Sequence, residues 1–301
     1  MTIKQALQQR RLVCDGAMGT QLMLAGLEQG ASGELWNLSH PDRVLKIQRN
    51  YVEAGADCLI TNTFGANGLI LARHGHRDEL GAINKAAAKI AREAFDGREG
   101  FVLGDIGPVG GVLEPYGELT VAEVRPALLE QAQALVEGGV DAIILETQTA
   151  LEEIELGIQA AKSAGAPFII VSLAYDRSLD GTFFKTMMGV DPEQAAKFAQ
   201  EKGADAVALN CGTGMDMAAA AQLIPRYRSA CNLFTMAQPN AGLPVLENLQ
   251  AVYKQSPDEM VQKLPALLEA GVNIIGSCCG STPEHTRAIR AVVNRFNQRI
   301  L

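Results

Sequence analysis

Three thiols in the C-terminal third, Cys211 and the adjacent pair Cys278-Cys279, carry the sharpest chemical signal in this 301-residue chain. Deprotonated, they supply three soft ligands for a tetrahedral Zn2+ ion and leave its fourth position open. An adjacent pair can chelate only if one side chain turns back, and the flanking Gly276 and Gly280 give the backbone that freedom. The alternative, free cysteines behaving as small apolar groups, fits Cys14, Cys58 and Cys231 better. Three thiolates leave a zinc ion with net negative charge, a poor Lewis acid for water. A fourth thiolate, from a substrate, would stay deprotonated at neutral pH yet remain nucleophilic toward a soft carbon. Alkyl transfer to sulfur is therefore favoured over hydrolysis.

Asp15 and Glu146 form a second constellation. Two carboxylates can work as an acid–base pair or jointly hold a cationic group. The loop Gly16-Ala17-Met18-Gly19-Thr20 offers backbone N–H groups to a carboxylate. A thiol-bearing amino acid suits such a pocket, with Asp15 and Glu146 on its ammonium and Gly16 and Ala17 near its carboxylate. The histidines, His40, His74, His76 and His285, look peripheral, so no His-based nucleophilic triad is supported. His285, near the start of the last helix, could either support the thiol cluster or simply pack.

The positioning elements follow from a repeat. Glycine, then Ala or Val, then Asp or Asn, leads into a short apolar run at Gly55-Ala56-Asp57, Gly139-Val140-Asp141, Gly203-Ala204-Asp205 and Gly271-Val272-Asn273. Each copy reads as a helix ending at glycine and then a buried parallel strand. The copies are spaced at about twice one β/α unit, and apolar runs at Leu12–Gly16, Phe101–Ile106, Phe168–Ala174 and Leu233–Gln238 fill the gaps. Helix starts are signalled by Ser256-Pro257-Asp258-Glu259, Asp191-Pro192, Thr282-Pro283 and the capping box of Thr120 with Glu123, although Pro126 should strain that last helix. Eight strands alternating with helices predict an α/β fold, a single-domain (β/α)8 TIM barrel over residues 1–301. The competing open doubly wound sheet lacks its glycine-rich fingerprint after the first strand. In a barrel the strand ends carry the site: Asp15, Asn62, Asp105, Glu146, Asn210-Cys211, Asn240 and Cys278-Cys279. Strand seven lies between six and eight, so Asn240 is expected to offer its amide oxygen to the open zinc position when substrate is absent.

Bulk properties narrow the class. Net charge is −8, with no basic run, which excludes nucleic acid as a natural partner. The first residues lack a signal-peptide core and no window is apolar enough to span a membrane, so a cytoplasmic enzyme is expected.

The motifs Asp15-Gly16-Ala17-Met18-Gly19-Thr20, Thr61-Asn62-Thr63-Phe64-Gly65, Gly104-Asp105-Ile106-Gly107-Pro108, Glu146-Thr147, Asn210-Cys211, Pro239-Asn240-Ala241-Gly242 and Gly276-Ser277-Cys278-Cys279-Gly280 span the chain and resemble the homocysteine S-methyltransferase family. The resemblance implies a (β/α)8 barrel with zinc on Cys211, Cys278 and Cys279, and Asp15 and Glu146 on the homocysteine amino group. Within the family, the wording is most similar to the homocysteine module of cobalamin-dependent methionine synthase, with Ser277 where that module commonly has glycine. It implies homocysteine, activated as a zinc thiolate and methylated to methionine. The methyl donor would be methylcobalamin on a separate protein or, alternatively, a small donor such as betaine or S-methylmethionine. Betaine would need an aromatic cage, for which Trp36 and Tyr116 are the candidates. A metal-free barrel lyase lacks a Schiff-base lysine at any strand end, and a structural-zinc module lacks a fourth ligand there.

Overall fold

The glycines of the repeat, Gly55, Gly139, Gly203 and Gly271, all take left-handed backbones just beyond helix ends, with φ of 102°, 88°, 81° and 95°. A side chain with a Cβ would be strained there. These angles come from a computed structural model that describes residues 1–247 and 250–300. Two residues on, the Asp or Asn makes a paired contact with the preceding strand. Its side-chain oxygen accepts one residue's N–H, and its own N–H donates to that residue's carbonyl. The distances are 2.8 and 2.7 Å for Asp57 with Val13, and 2.7 and 2.8 Å for Asp141 with Val102. They are 3.0 and 2.9 Å for Asp205 with Ile169, and 2.9 and 2.9 Å for Asn273 with Thr235. The repeat is thus a clamp that fixes each even strand to the odd strand before it.

The strands are β1 (Leu12–Val13), β2 (Cys58–Ile60), β3 (Phe101–Ile106), β4 (Ala142–Gln148), β5 (Ile169–Leu173), β6 (Ala206–Asn210), β7 (Phe234–Gln238) and β8 (Ile274–Ile275). All pair in parallel in the order β1-β8-β7-β6-β5-β4-β3-β2. The last edge is joined by a Cys14–Cys58 bridge, with the Asp15 N–H donating to the Cys58 carbonyl at 3.0 Å. The expected (β/α)8 barrel is therefore the fold. Its helices cover the outside, and Val13, Val102, Ile143, Val171 and Val207 face them in one large core.

Alternate residues point inward. Leu12, Leu103, Ile144, Ile170, Ala208, Met236 and Ile274 pack in the lumen, and the helix Ile3–Gln9 plugs its lower end with Ile3, Ala6 and Leu7. One more step of the two-residue period places Asp105, Glu146, Ser172, Asn210 and Gln238 at the upper end, so the apolar lumen is capped by a polar layer.

Two features depart from expectation. The helix Val121–Glu137 runs straight through Pro126, because its buried face (Val124, Leu128, Ala132, Leu135) packs on the core and outweighs a proline cost of about 3 kcal/mol. Two hairpins, Asp176–Arg177 with Phe184–Lys185 and Pro244–Glu247 with Gln250–Tyr253, were not anticipated. They are insertions in the loops after β5 and β7, with strands of two to four residues, too short to show a strand period. Among the described residues no helix is long and apolar enough to cross a membrane.

The clamp is testable. Asp205→Ala leaves the Ile169 N–H without its acceptor and is expected to cost about 1–3 kcal/mol, read as a lower urea midpoint. Asp205→Asn keeps an acceptor and should lose less; equal midpoints for both variants and the parent would refute the clamp.

Candidate active site

The polar layer opens into a cavity of ≈ 780 Å³ whose wall includes Asp15, Gly16, Ala17, Glu146, Cys211, Cys278 and Cys279. Residues far apart in the chain meet there because β6, β7 and β8 are consecutive around the ring. The Cys211 and Cys279 sulfurs lie 3.6 Å apart and those of Cys278 and Cys279 3.8 Å apart. All three lie within 4.8 Å of one another. Sulfurs bound at about 2.3 Å to a tetrahedral zinc ion would be about 3.8 Å apart, so the donor set fits such an ion.

Backbone strain presents these thiols. Cys211 has φ 51°, a conformation uncommon for a residue with a Cβ. Gly212 follows at φ 84°, where a Cβ would lie 2.0 Å from the Tyr175 carbonyl oxygen. On the other loop, Gly280 (φ 79°) lets the Tyr253 ring close over the cluster, since a Cβ there would sit 2.1 Å from it. Gly276 serves differently from expectation: its φ is ordinary, and what it permits is close approach to Cys14 and Asp15. Hydrogen bonds received from Cys211, then Cys278, hold the Cys279 thiol well below its ordinary range.

Asn240 lies beside the thiols without lining the cavity. Its N–H donates to the Met215 carbonyl, its side-chain amide donates to Gly212 at 3.1 Å, and its neighbour Ala241 donates to Cys279 at 3.0 Å. Its Oδ1 is buried without a protein partner. A buried acceptor left unpaired is uncommon and calls for a ligand or water.

The carboxylates cluster on the other wall. Asp15 accepts the Ile60 N–H at 2.8 Å and the Cys14 thiol at 3.3 Å, yet burial pushes its carboxyl up to about 7. Burial, then the charge of Cys279, pushes Glu146 up to about 7 against a hydrogen bond from Asp105 that lowers it. Asp105 rises well above the usual range through burial and the charges of Glu146, Glu34 and Asp15. Among the described residues no Lys or Arg lines this cavity, so its buried carboxyls face no cationic side chain.

A register shift between Leu145 and Gln148 bulges β4 at Glu146-Thr147, and Thr147 takes φ 57°. Asn210 holds that bulge: its Oδ1 accepts from Ser172 at 2.6 Å and the Thr147 N–H at 3.1 Å, and its Nδ2 donates to the Thr147 hydroxyl at 2.7 Å. Glu146 is thereby aimed by the residue that precedes Cys211.

Three sequence-level readings change in detail. The Ala17 N–H is engaged by Ser281 Oγ at 3.0 Å, which leaves Gly16 as the free amide beside Asp15. His285 does not touch the thiols; its Nδ1 accepts the Thr282 N–H at 3.1 Å and its Nε2 donates to Gln255 at 2.9 Å, so it packs and caps. Trp36 is buried under Arg43, away from the cavity, and Tyr116 lines a separate pocket of ≈ 320 Å³. Asp105 and Asn210 were expected at strand ends without an assigned role, and Tyr253 was not anticipated. The two-residue period of β3 and β6 marks the first two; Tyr253, on an inserted hairpin, has no such signal.

The family model for homocysteine S-methyltransferase matches residues 12–293. The methionine synthase of Mycobacterium tuberculosis is 35% identical over 303 residues, covering 95% of this chain and 25% of that protein. That of Mycobacterium leprae is 34% identical over 97% of this chain, again 25% of the relative. The chain thus spans about a quarter of the length of the curated relatives it matches. In fold it is similar to the Escherichia coli homocysteine methyltransferase MmuM, whose metallated form has a TM-score of 0.76 at 22% identity, covering 96% of this chain and 99% of that one. The oxidized form gives 0.79 at 20%.

The raised carboxyl has a pH consequence. An unfolded Asp15 ionises near 4 whereas the folded one holds its proton to about 7. The native state therefore binds more protons in that window, and Asp15 lowers stability as pH rises from about 4 to 7. Asp15→Asn should gain stability relative to the parent between pH 5 and 8, by on the order of 2–4 kcal/mol. Urea melts at both pH values that shift in parallel would show an Asp15 ionised normally in the fold.

Proposed function

This chain belongs to the homocysteine S-methyltransferase family, and on that premise we propose that it methylates the thiol of homocysteine to methionine as the zinc-bearing homocysteine barrel, residues 1–301, of a cobalamin-dependent methionine synthase system. The observation that carries this is the trio of sulfurs from β6 and β8, spaced as edges of a zinc tetrahedron, opposite an anionic wall in one cavity. Cys211, Cys278 and Cys279 would hold the ion, which would keep a fourth, substrate sulfur deprotonated yet nucleophilic at neutral pH. The unpaired Asn240 Oδ1 supports a role in filling the remaining position in the absence of substrate. Asp15 and Glu146 bind the α-ammonium, completing the charge of the pocket. The Asp105 proton keeps the facing carboxyls from repelling each other. Gly16 and its loop face the α-carboxylate.

The rim favours a macromolecular methyl donor. Leu24 and Phe64, which line the cavity, and Tyr116 and Met187, which line the second pocket, are large apolar side chains that remain exposed, all in segments that follow the strands. Exposed apolar side chains of this kind fit a partner surface, such as a protein carrying methylcobalamin, better than a small polar donor in water. Trp36 and Tyr116, the aromatics expected for a betaine cage, do not line the cavity; the aromatics that do are Phe64 and Tyr253.

Purified protein should carry one zinc per chain. Cys211→Ala and Cys279→Ala should each lose the metal and methyl transfer while keeping the barrel's circular dichroism. Full occupancy and turnover in both would overturn the assignment. A donor screen with homocysteine should favour methylcobalamin over betaine and S-methylmethionine. Glu146→Gln should weaken homocysteine binding by about one to two orders of magnitude without changing zinc content. A thiol lacking the amino group should bind parent and variant alike; equal losses for both thiols would make Glu146 a general base instead.

A further inference from the structure

Ser277 lies between β8 and the Cys278-Cys279 pair, only 1% exposed and in the wall of the cavity. Its main chain is fixed, because its N–H donates to the Asp15 carbonyl at 3.2 Å and the next N–H donates to Pro239 at 2.9 Å. Its hydroxyl has no partner. The contrast with Ser281 is informative. A Cβ added to Gly16 would lie 3.1 Å from Ser277 Oγ and 2.6 Å from Ser281 Oγ, so both hydroxyls sit over the same glycine. Ser281 is fully used, accepting the Ala17 N–H at 3.0 Å and donating to the Cys278 carbonyl at 2.7 Å. Ser277 retains its donor, buried and next to Gly16. A hydroxyl kept out of water without a partner is unfavourable unless a ligand completes it.

We propose that Ser277 Oγ donates a hydrogen bond to the α-carboxylate of the amino-acid substrate and is a specificity-determining residue of the site. The inference rests on the homocysteine reading and deepens it. The cation half of an amino acid is served by Asp15, Asp105 and Glu146, all carboxyls. The carboxylate half needs donors, and no Lys or Arg lines the cavity to supply them. Ser277 is a neutral donor beside Gly16, and it can bind an anion without cancelling the negative wall opposite. Glycine, the residue common in the motif that this segment resembles, would provide no such bond.

The test is calorimetric binding to zinc-loaded parent and Ser277→Ala, with metal content and circular dichroism as checks on the variant. Three ligands separate the halves of the substrate: homocysteine, 4-sulfanylbutanoate (carboxylate kept, amine removed) and 3-aminopropane-1-thiol (amine kept, carboxylate removed). Ser277→Ala should weaken homocysteine and 4-sulfanylbutanoate by about tenfold each and leave 3-aminopropane-1-thiol unchanged. Ser277→Gly should reproduce that pattern. Unchanged homocysteine affinity would overturn the proposal and show a hydroxyl satisfied by water alone. A loss that follows the amine instead would also overturn it. Parent protein that binds zinc but no homocysteine would remove the functional reading and this inference together, whereas normal parent binding with an indifferent Ser277→Ala removes this inference alone.

Discussion

Closure of the barrel in one register is the constraint on which the rest of the molecule depends. Four side chains enforce it. Asp57, Asp141, Asp205 and Asn273 each exchange a pair of hydrogen bonds with one residue of the preceding strand, at 2.7–3.0 Å. A parallel strand slipped by one residue would turn its inward side chains outward. Here that would take Asp105 or Glu146 from the cavity and bury it against the helices. The glycine two residues earlier lets the chain leave the helix sharply enough for the clamp to form. Helix end, strand entrance and register are set by one short motif, used four times.

That fixed frame allows the upper end to carry groups that oppose folding. Three carboxyls face a cavity with no Lys or Arg in its wall, and burial raises all three above their ordinary range. Three sulfurs crowd within 4.8 Å. Cys211 and Thr147 hold left-handed backbones without being glycine. The crowded carboxyls and sulfurs and the left-handed backbones each cost free energy, and a cation beside the acidic groups or the sulfurs would offset the electrostatic part. Asn210 joins the two halves mechanically. It fastens the Thr147 bulge that aims Glu146 and is followed directly by Cys211, so one residue ties the acidic wall to the thiol wall.

Between these walls, neutral groups complete the pocket. Ser281, Gly16 and Ser277 form a layer where hydroxyl and amide donors replace cationic side chains. Neutral donors leave the charge of the carboxyls and sulfurs intact, whereas a lysine or arginine in their place would neutralise it.

The sequence by itself determined the barrel, because the fourfold Gly-x-Asp/Asn repeat and the apolar runs between its copies are local signals with a local physical cause. It also marked the thiols, Asp15 and Glu146 as strand-end groups, since residue type at a strand end is legible once strands are counted. The inserted strand pairs were not legible: Gln250–Tyr253 acquires its strand form by pairing with Pro244–Glu247, and Tyr253 reaches the thiols only through the gap left by Gly280. The burial of Asp105 beside Glu146, the engagement of the Ala17 amide by Ser281 and the unpaired hydroxyl of Ser277 were decided by tertiary structure alone. Burial and hydrogen-bond partnership belong to pairs of residues distant in the chain, and no single segment encodes whether a polar atom will find its partner.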